Sequence, residues 1–250
     1  MLPSNFKPRG EFNLLRIGGD NDGGYLVELN SIKQSQDLIS IGIGKNWRFE
    51  EDFLQHAAMS IGISAYDHSV RGFFWPKFFI KIFLSVLIGQ FRAPFNAIKK
   101  YKKFKRFFRE NARLYYDKIG TGESCTNLWK EIDWTGSRDI FLKIDIEGHE
   151  YEILDEITEY SILLTGLVIE FHNISDYLDE IKNFIDSFEL KLVHVHPNNN
   201  RIGENGDPRA IEMTFAREPE KLSETPILPH PLDQLNVSRK ETVSLRFVNS

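Results

Sequence analysis

The sequence predicts an α/β fold built around a mostly parallel sheet. Short apolar segments alternate with helical patterns along most of the chain, which is typical of such sheets. One strand pattern, residues 37–44, runs directly into a glycine turn and a helix, as at the start of nucleotide-binding sheets. The chain has 250 residues, of which 41% are apolar and 27% charged, so it can bury a substantial core. We therefore expect a single domain over residues 1–250.

Charge and cysteine content argue against several classes of function. The formal net charge of -5 disfavours a general nucleic-acid-binding protein, because such proteins neutralise phosphates with an excess of basic residues. The single cysteine, Cys125, can form neither an internal disulfide nor a cysteine zinc site, which fits a reducing compartment. The N-terminal stretch lacks the apolar core of a secretory signal. We expect the protein to stay in the cytoplasm.

Residues 16–27, RIGGDNDGGYLV, contain two short apolar stretches around a cluster of Gly, Asp and Asn. Such clusters make tight turns, because Gly accepts positive φ and Asx side chains bond nearby backbone amides. The simpler interpretation is therefore a β-hairpin. In the functional interpretation the small residues, Gly23 among them, let the backbone approach a cofactor, with contacts from Asp20, Asp22 or Tyr25.

The next segment predicts the first part of a cofactor site. Residues 37–44 form a buried-strand pattern that ends at Gly42 and Gly44, and a second strand, residues 61–67, ends at Asp67. Glycines at such a turn let a ligand meet the backbone and a helix N-terminus. An acid about twenty residues further on is suitably placed to bind a ribose diol. The alternative role for Asp67 is that of a helix N-cap.

The glycine pattern departs from the dinucleotide fingerprint, because Trp47 stands where G-x-G-x-x-G has its third glycine. Tight binding of a pyrophosphate is therefore disfavoured, and with it a nicotinamide cofactor. A cofactor with adenosine and ribose but without pyrophosphate fits better. S-adenosylmethionine is the common cofactor of that kind.

Residues 70–113, here called the insertion, interrupt the alternation. Residues 73–95 are strongly aromatic and aliphatic, and residues 96–113 carry eight Lys or Arg against one Glu. Lysines and a proline within the apolar part make it a poor membrane span. Two interpretations remain open. The insertion could cover the active site and offer a basic edge to a phosphorylated substrate, or residues 73–109 could lie on an anionic membrane.

The remaining elements continue the alternation. Asp117, near the end of the third strand, is within reach of an adenine in such a site. The tail from about residue 218, rich in Pro and polar residues, is predicted to be a wrapped C-terminal extension. The other predicted elements are strands at 113–119, 141–145, 166–173, 190–200 and 209–218, and helices at 46–59, 125–133, 149–157 and 175–188.

Ionisable groups mark three of the predicted strands. Because the ends of parallel strands lie at one edge of a sheet, residues far apart in sequence are expected to meet around one pocket. A single histidine on a strand is usually a packing residue, but several buried ionisable groups without a function would be costly. The groups are Asp145 with Glu147, Glu170 with His172, and His194 with His196.

Two kinds of chemistry are open to this cluster. A histidine, His172 or His196, could act as general base on a substrate hydroxyl. Alternatively, Asp145, Glu170 and His172 could hold a divalent metal, Mg²⁺ or Mn²⁺, and lower the pKa of a bound hydroxyl. Glu147 is either part of this catalytic group or a support for the turn into the following helix.

Five motifs together resemble a known family. In chain order they are RIGGDNDGGYLV, ISIGIG, AYD, FLKIDIEGHEYEIL and VIEFHN, and they resemble the FkbM-type branch of the class I S-adenosylmethionine-dependent methyltransferases. The resemblance covers about residues 14–217 without the insertion, and LKIDIEG-x-E is its most specific motif. It implies a Rossmann-like, seven-stranded, mostly parallel sheet flanked by helices, with an antiparallel last strand.

The resemblance also implies roles for single residues. Gly42 and Gly44 would pack against the methionine part of the cofactor, and Asp67 would bind the ribose. Asp145 would face the methyl group that is transferred. Ser40 stands where class I enzymes commonly have an acid that contacts the methionine amino group. Asp20 or Asp22 is expected to supply that contact instead.

The residues and the resemblance together predict an S-adenosylmethionine-dependent O-methyltransferase. Its acceptor would be a hydroxyl of a sugar, either nucleotide-linked or a precursor of a surface polysaccharide. His172 or His196 would remove the proton. The alternative is a non-catalytic protein of the same fold that docks on the inner face of a membrane, or on a partner, through the insertion.

Overall fold

A seven-stranded sheet forms the centre of the structure, a computed structural model that describes residues 1–58, 60–71, 74–85, 93–203 and 206–248. The strands of this sheet, numbered along the chain, are β1 (Asp37–Ile41), β2 (Gly62–Tyr66), β3 (Arg113–Tyr115), β4 (Ile140–Ile144), β5 (Leu164–His172), β6 (Lys191–Ile202) and β7 (Pro208–Ala216).

The strands lie in the order β6-β7-β5-β4-β1-β2-β3. Strands β1 to β5 run parallel to one another, and β7 lies between β5 and β6 and runs antiparallel to both. The predicted Rossmann-like α/β fold, with an antiparallel last strand, is confirmed. Because β1, β2, β4 and β5 are parallel, the loops that follow them leave the sheet at one edge, where ligands gather in open α/β sheets.

The helices of the described part of the chain cover the sheet with amphipathic faces. In the second helix, for example, Phe49 and Phe53 lie one turn apart and are both buried. The fifth helix ends at Gly136, whose φ of 64° makes a left-handed cap. The α-helices are α1 (Leu29–Gln34), α2 (Arg48–His56), α3 (Phe74–Ser85), α4 (Ala93–Glu110), α5 (Leu128–Thr135), α6 (Leu154–Glu159) and α7 (Leu178–Ser187).

Two apolar clusters form the core, one on each face of the sheet. Successive strand residues point to opposite faces. Phe141 of β4 and Val168 of β5 therefore pack with Phe53 of α2 in one cluster. Leu142 and Ile169, the next residues of the same strands, belong to the other cluster, together with residues of α6 and α7.

The glycine-rich segment forms the predicted hairpin. Strand Leu14–Ile17 pairs antiparallel with strand Tyr25–Glu28, outside the central sheet. Gly18 has a φ of 94°, and a Cβ there would lie 2.2 Å from the carbonyl oxygen of Gly23, so glycine is required where the two sides of the turn touch.

Several predicted elements have other bounds in the structure. The helix predicted at 125–133 begins only at Leu128, because Cys125 and Thr126 form a strand. Two further cases are the third strand and the helix after β4. The third strand ends at Tyr115, and Lys118–Ile119 pairs instead with Cys125–Thr126 in a separate two-stranded sheet. The helix predicted at 149–157 begins as a 3₁₀ turn, Glu150–Ile153, which α6 follows. The reason for this 3₁₀ turn is local, since the Glu150 carboxylate bonds the N–H of Gly148 and bends the chain before a helix forms.

Helices α3 and α4 form the predicted helical insertion between β2 and β3. Their base packs on the body of the protein, because Phe104 and Trp75 are buried together with Trp47. Residues 72–73 and 86–92, which belong to the predicted insertion, lie outside the described residues. Within the described residues, none of the helices combines the length and the apolar character that crossing a membrane requires.

The chain after Ala216 runs back over the protein. Strand Lys221–Ser223 pairs with Glu11–Phe12, and strand Phe247–Val248 pairs with Leu2–Pro3 near the N-terminus. Between these pairs, Asn199 of β6 donates to the carbonyl oxygen of Val237 at 3.0 Å. The tail is therefore attached to the N-terminal segment at two places and to β6 of the sheet between them.

Candidate active site

A cavity of about 790 Å³ opens at the carboxyl ends of β1, β2 and β4. Asp22 and Gly23 of the hairpin turn also line it, so the turn forms one wall. Asp117 lines it from the loop after β3. The other predicted site residues on its surface are Gly42, Gly44, Asp67, Asp145 and Glu147.

Two glycines shape the floor of this cavity. Gly42 has a φ of 83°, and a Cβ there would lie 1.7 Å from the carbonyl oxygen of Asp145, so only glycine lets the β1 and β4 loops approach this closely. Gly44 has a φ of 51°, and a Cβ there would meet nothing within 4 Å. The backbone at Gly44 is therefore open to a ligand.

Asp67 is held by two backbone donors. Its Oδ2 accepts the N–H of Gly44 at 2.7 Å, and its Oδ1 accepts the N–H of Ser69 at 2.7 Å, which makes it the N-cap of a short 3₁₀ helix. The capping role is thus present in the structure. Each carboxylate oxygen can accept a further bond, so the ribose contact stays a prediction that this geometry allows.

The hairpin residues have different surroundings. The Tyr25 side chain is buried and donates to Asp145 Oδ2 at 3.2 Å, which fixes that carboxylate. Burial and the charge of Asp145 raise the pKa of both Tyr25 and Asp22. Asp20 does not line the first cavity but a second one, described below.

Lys143 and Glu50 were missed by the sequence analysis. The buried Lys143 donates to the carbonyl oxygen of Gly42 at 2.6 Å, which holds the glycine turn. Glu50 is fully buried on α2 and accepts a hydrogen bond from Ser40 of β1. Burial raises the pKa of Glu50, and the charge of Lys143 opposes this rise. A charged residue within the apolar segment FLKI was the signal that could have identified Lys143.

His172 is fixed by a buried carboxylate, Glu150, which ends the LKIDIEG-x-E motif but was assigned no role from the sequence. Glu150 Oε1 accepts both the backbone N–H of His172, at 2.5 Å, and its Nδ1, at 3.2 Å. A carboxylate at Nδ1 favours the proton on that nitrogen, which leaves Nε2 as the acceptor. Nε2 lies 3.6 Å from Glu170 and 3.8 Å from Glu147.

Negative charge around His172 makes it a stronger base. Burial by itself lowers the pKa of His172, but the hydrogen bond and charge of Glu150, with the charges of Asp145 and Glu147, outweigh it and raise the pKa. The pKa of Glu170 is well above its ordinary range because of burial and the neighbouring charge of Asp145. Glu170 therefore tends to be neutral where its neighbours are ionised.

A polar cavity of about 90 Å³ joins these residues to the first cavity. Asp22, Asp145 and Glu147 line both cavities, and Glu170 and His172 line the smaller one. One ligand atom each from Asp145, Glu147 and His172 lies within 4.8 Å of the other two, a set that suits a divalent cation or an acceptor hydroxyl. The metal site predicted at Asp145, Glu170 and His172 stays a prediction. In the structure Glu147, which was not among the predicted ligands, groups with Asp145 and His172.

Glu147 lies on a strained turn. Glu147 has a φ of 54°, a left-handed backbone conformation that residues other than glycine rarely adopt. The next residue, Gly148, has a φ of 103°. The Glu147 side chain is 76% exposed, at the mouth of the small cavity. Both interpretations of Glu147 stay open, since its backbone makes the turn and its carboxylate faces His172.

The structure separates His196 from Asp145. His196 of β6 lies opposite Glu212 of β7, and Glu212 lies opposite Glu170 of β5, with the end of β4 beyond. Three strand spacings, or about 14 Å, therefore lie between His196 and Asp145. The position of β7 between β5 and β6 produces this distance. Of the two histidines predicted as a base, His172 is therefore the one that lies beside Asp145.

A second cavity, of about 540 Å³, lies beside the first and is lined by more basic than acidic side chains, five Lys or Arg against Asp20, Asp22 and Glu51. Glu51 forms an ion pair with Lys103 at 2.6 Å. We call this space the basic cavity. It is formed by the hairpin turn, the start of α2 and residues 96–103 of α4, and it shares Asp22, Lys45 and Asn46 with the first cavity. Burial, together with the charges of Lys45 and Arg48, lowers the pKa of Lys100. The basic side chains that line it are Lys45, Arg48, Lys99, Lys100 and Lys103.

Comparison with known proteins gives weak likenesses to methyltransferases. No family model and no curated protein matches the chain, so the resemblance to the FkbM-type branch rests on its motifs alone. Among solved structures, an rRNA methylase from Streptococcus thermophilus is 12% identical with a TM-score of 0.39, covering 76% of this chain and 92% of its own.

Two other solved structures are similar at the same level. A precorrin-6y C5,15-methyltransferase from Geobacter metallireducens GS-15 is 14% identical with a TM-score of 0.37, covering 75% of this chain and 84% of its own. TrmK from M. capricolum, in complex with S-adenosyl-homocysteine, is 11% identical with a TM-score of 0.36, covering 77% of this chain and 68% of its own.

Proposed function

We propose that the protein is an S-adenosylmethionine-dependent methyltransferase that methylates a hydroxyl oxygen. The observation that carries this proposal is the cavity at the ends of β1, β2 and β4, where Gly44 exposes its backbone beside the Asp67 carboxylate. The cavity, of about 790 Å³, has the size of a small-molecule site. Asp67 would hold the ribose, and Gly42 and Gly44 would contact the methionine part.

The absence of an acid at Ser40 is compensated nearby. Ser40 is bonded to the buried Glu50 and does not line the cavity, whereas Asp22 lines it from the hairpin turn. Asp22 is therefore our candidate for the contact to the methionine amino group. Asp20 does not line this cavity and is the weaker candidate.

His172 is our candidate for the general base. When bound, the cofactor supplies an electrophilic methyl group attached to sulfonium sulfur. His172 Nε2 would accept the hydroxyl proton of the acceptor as its oxygen forms a bond to that methyl carbon and the carbon–sulfur bond breaks. Glu150 stabilises the imidazolium that results, and Tyr25 keeps Asp145 in place beside it.

The basic cavity supports an acceptor that carries phosphate. Its five Lys and Arg side chains come from three elements, and it joins the first cavity at Lys45 and Asn46. A phosphate in the basic cavity would leave the attached sugar within reach of the Asp145 and His172 region. We therefore favour a phosphorylated or nucleotide-linked sugar as the acceptor, and Mg²⁺ or Mn²⁺ at Asp145 remains a compatible addition.

A second function, contact with a membrane surface, is favoured by apolar side chains in the second half of α3 and at the start of α4. Four large apolar side chains there are exposed, namely Ile80, Phe83, Leu84 and Phe95. The same helix pair carries a dense set of lysines and arginines, which anionic lipid headgroups attract. Peripheral docking is compatible with the enzymatic function, because α4 can line the basic cavity with Lys99, Lys100 and Lys103 while these apolar side chains stay exposed.

Calorimetric titration with S-adenosylmethionine and S-adenosylhomocysteine tests the proposed function. We expect both to bind, with NAD as the non-binding control. Replacing Asp67 by Ala should weaken binding at least tenfold, since a hydrogen bond to a charged group contributes about 1.5–3 kcal/mol. His172→Ala should leave cofactor affinity unchanged. If neither S-adenosylmethionine nor S-adenosylhomocysteine binds the intact protein, the enzymatic proposal is wrong.

A further inference from the structure

Two histidines of β6 and one aspartate of the tail form a buried cluster away from the candidate active site. His194 and His196 share one face of the strand, and Asp233 reaches them from the tail. Asp233 Oδ1 lies 2.9 Å from His194 Nε2 and 3.3 Å from His196 Nδ1. One ligand atom from each residue lies within 4.8 Å of the other two. The first cavity is not lined by any of the three.

Neither ring nitrogen of His196 makes a well-aligned hydrogen bond in the described part of the chain, although Nδ1 lies within ion-pair distance of Asp233. Its side chain is only 9% exposed, and both ring nitrogens are buried without a hydrogen bond. Nδ1 is near Asp233 but not aligned for hydrogen bonding. Because at least one ring nitrogen carries a proton, a buried imidazole without an acceptor is costly. Such an orphan group commonly marks a water or an ion.

We propose that His194, His196 and Asp233 bind a divalent transition metal, with Zn²⁺ as the best match. Two imidazoles and one carboxylate are typical zinc ligands, and three protein ligands leave a fourth position for water. Mg²⁺ fits poorly, because it prefers oxygen ligands and a nitrogen-rich site disfavours it. The metal would take the lone pair of one His196 nitrogen and so satisfy a group that the protein leaves unpaired.

The metal would fasten the tail to the cofactor side of the protein. Three residues after Asp233, Asn236 donates to Glu212 at 2.5 Å, and its carbonyl oxygen accepts the N–H of Asp22 at 3.2 Å. Asp22 lines the first cavity. The metal would therefore hold the tail segment that supports the hairpin turn, which is a structural role.

Metal binding can be measured directly on the intact chain. The protein is treated with a chelator and titrated with Zn²⁺, and separately with Co²⁺, whose visible absorption reports nitrogen ligation. We expect one equivalent of Zn²⁺ to bind and to raise the Tm. Asp233→Asn keeps a hydrogen-bond acceptor for His194 but loses the charge, so it should weaken Zn²⁺ binding at least tenfold, as should His194→Gln.

Two matched controls locate the ion. His172→Ala removes the other candidate cluster, and His56→Ala removes an exposed histidine, so both should retain Zn²⁺ binding and the Co²⁺ spectrum. Circular dichroism verifies that each variant is folded. The proposal is overturned if the wild type binds no Zn²⁺, if Asp233→Asn binds it as tightly as the wild type, or if binding disappears in His172→Ala and persists in His194→Gln. None of these results depends on whether the protein binds S-adenosylmethionine.

Discussion

Glu150 Oε1 accepts both the backbone N–H and the Nδ1 of His172, at 2.5 and 3.2 Å. A fully buried carboxylate thus sets the position and the protonation of an imidazole whose other nitrogen faces Asp145 and Glu147. The arrangement follows the principle of a histidine base oriented by an acid. Glu150 also connects the loop after β4 with the end of β5, since its other oxygen accepts the N–H of Gly148.

Replacing Glu150 by Gln should lower the rate of methyl transfer and shift its pH dependence. The wild-type pKa of His172 is raised mainly by Glu150, against the effect of burial, so activity that needs the neutral imidazole should appear only above that raised pKa. In Glu150→Gln the acid limb of the kcat profile should move to lower pH. His172→Ala should reduce kcat by about 10²- to 10⁴-fold. An unchanged profile in Glu150→Gln would remove His172 from the mechanism.

Gly42→Ala should affect mainly folding stability, whereas Gly44→Ala should affect mainly ligand binding. At Gly42 a Cβ would collide with the Asp145 carbonyl at 1.7 Å, so we expect severe destabilisation or no folded protein. At Gly44 a Cβ meets no protein atom, and only the left-handed backbone is strained, at about 1–2 kcal/mol. Gly44→Ala should therefore fold but bind S-adenosylhomocysteine more weakly. Urea unfolding and calorimetry measure the two effects, and equal stability of both variants would contradict this account.

The sequence predicted the order of elements well because the strands are buried on both faces and therefore strongly apolar. It placed Asp67, Asp145 and His172 correctly at one edge of the sheet, since that depends only on strand direction. It did not predict that His196 lies about three strand spacings from Asp145, because β7 enters between β5 and β6 and local pattern does not encode strand order. Whether Asp67 binds ribose and Asp145 faces a methyl group stays a prediction.

Glu150, Glu50 and Lys143 were missed for a different reason. Each is a charged residue in a segment whose pattern already had an explanation as helix or strand. Their importance comes from burial and from partners far along the chain, as with Glu150 and His172 or Lys143 and Gly42. Periodicity alone carries no information on such pairs.

Glu50→Gln should make stability less dependent on pH. Burial raises the pKa of Glu50 above its ordinary 4.5, so the folded state holds the proton more tightly than the unfolded chain. The stability from this protonation is present below pH 4.5 and lost as pH rises through the folded-state pKa. Gln is neutral throughout and can still accept the Ser40 hydroxyl. The variant should therefore gain stability relative to the wild type between pH 5 and pH 8, about the range where ordinary proteins are most stable.

Unfolding by urea at several pH values measures this gain. The control is Glu159→Gln, which removes the same charge from an exposed position of α6. Parallel stability curves for the wild type and Glu50→Gln would show that Glu50 titrates normally.

The basic cavity should bind pyrophosphate. Calorimetry at low salt should detect binding of pyrophosphate to the wild type. The double variant Lys99→Ala, Lys100→Ala should abolish this binding, because both side chains line the cavity. Lys102→Ala combined with Lys105→Ala removes the same charge from positions of α4 that do not line it and serves as the control. Equal loss in both variants would indicate attraction to the overall charge of α4 and not a defined site.

The exposed apolar side chains in the second half of α3 and at the start of α4 should bind anionic vesicles. Phe83 and Leu84 are 55% and 58% exposed, and Phe95 is 72% exposed, so together they offer apolar area that a membrane interface would bury. Replacing all three by Ser should lower flotation with phosphatidylglycerol vesicles at least tenfold, since each buried CH₂ contributes about 0.8 kcal/mol. Ile162→Ser removes an apolar side chain that is 71% exposed in the turn before β5, outside the insertion, and should change nothing. Flotation should also weaken with salt and on replacing Lys99, Lys100, Lys102 and Lys103, because headgroup attraction is screened. If the wild type does not float with anionic vesicles at low salt, the insertion serves only to cover the basic cavity.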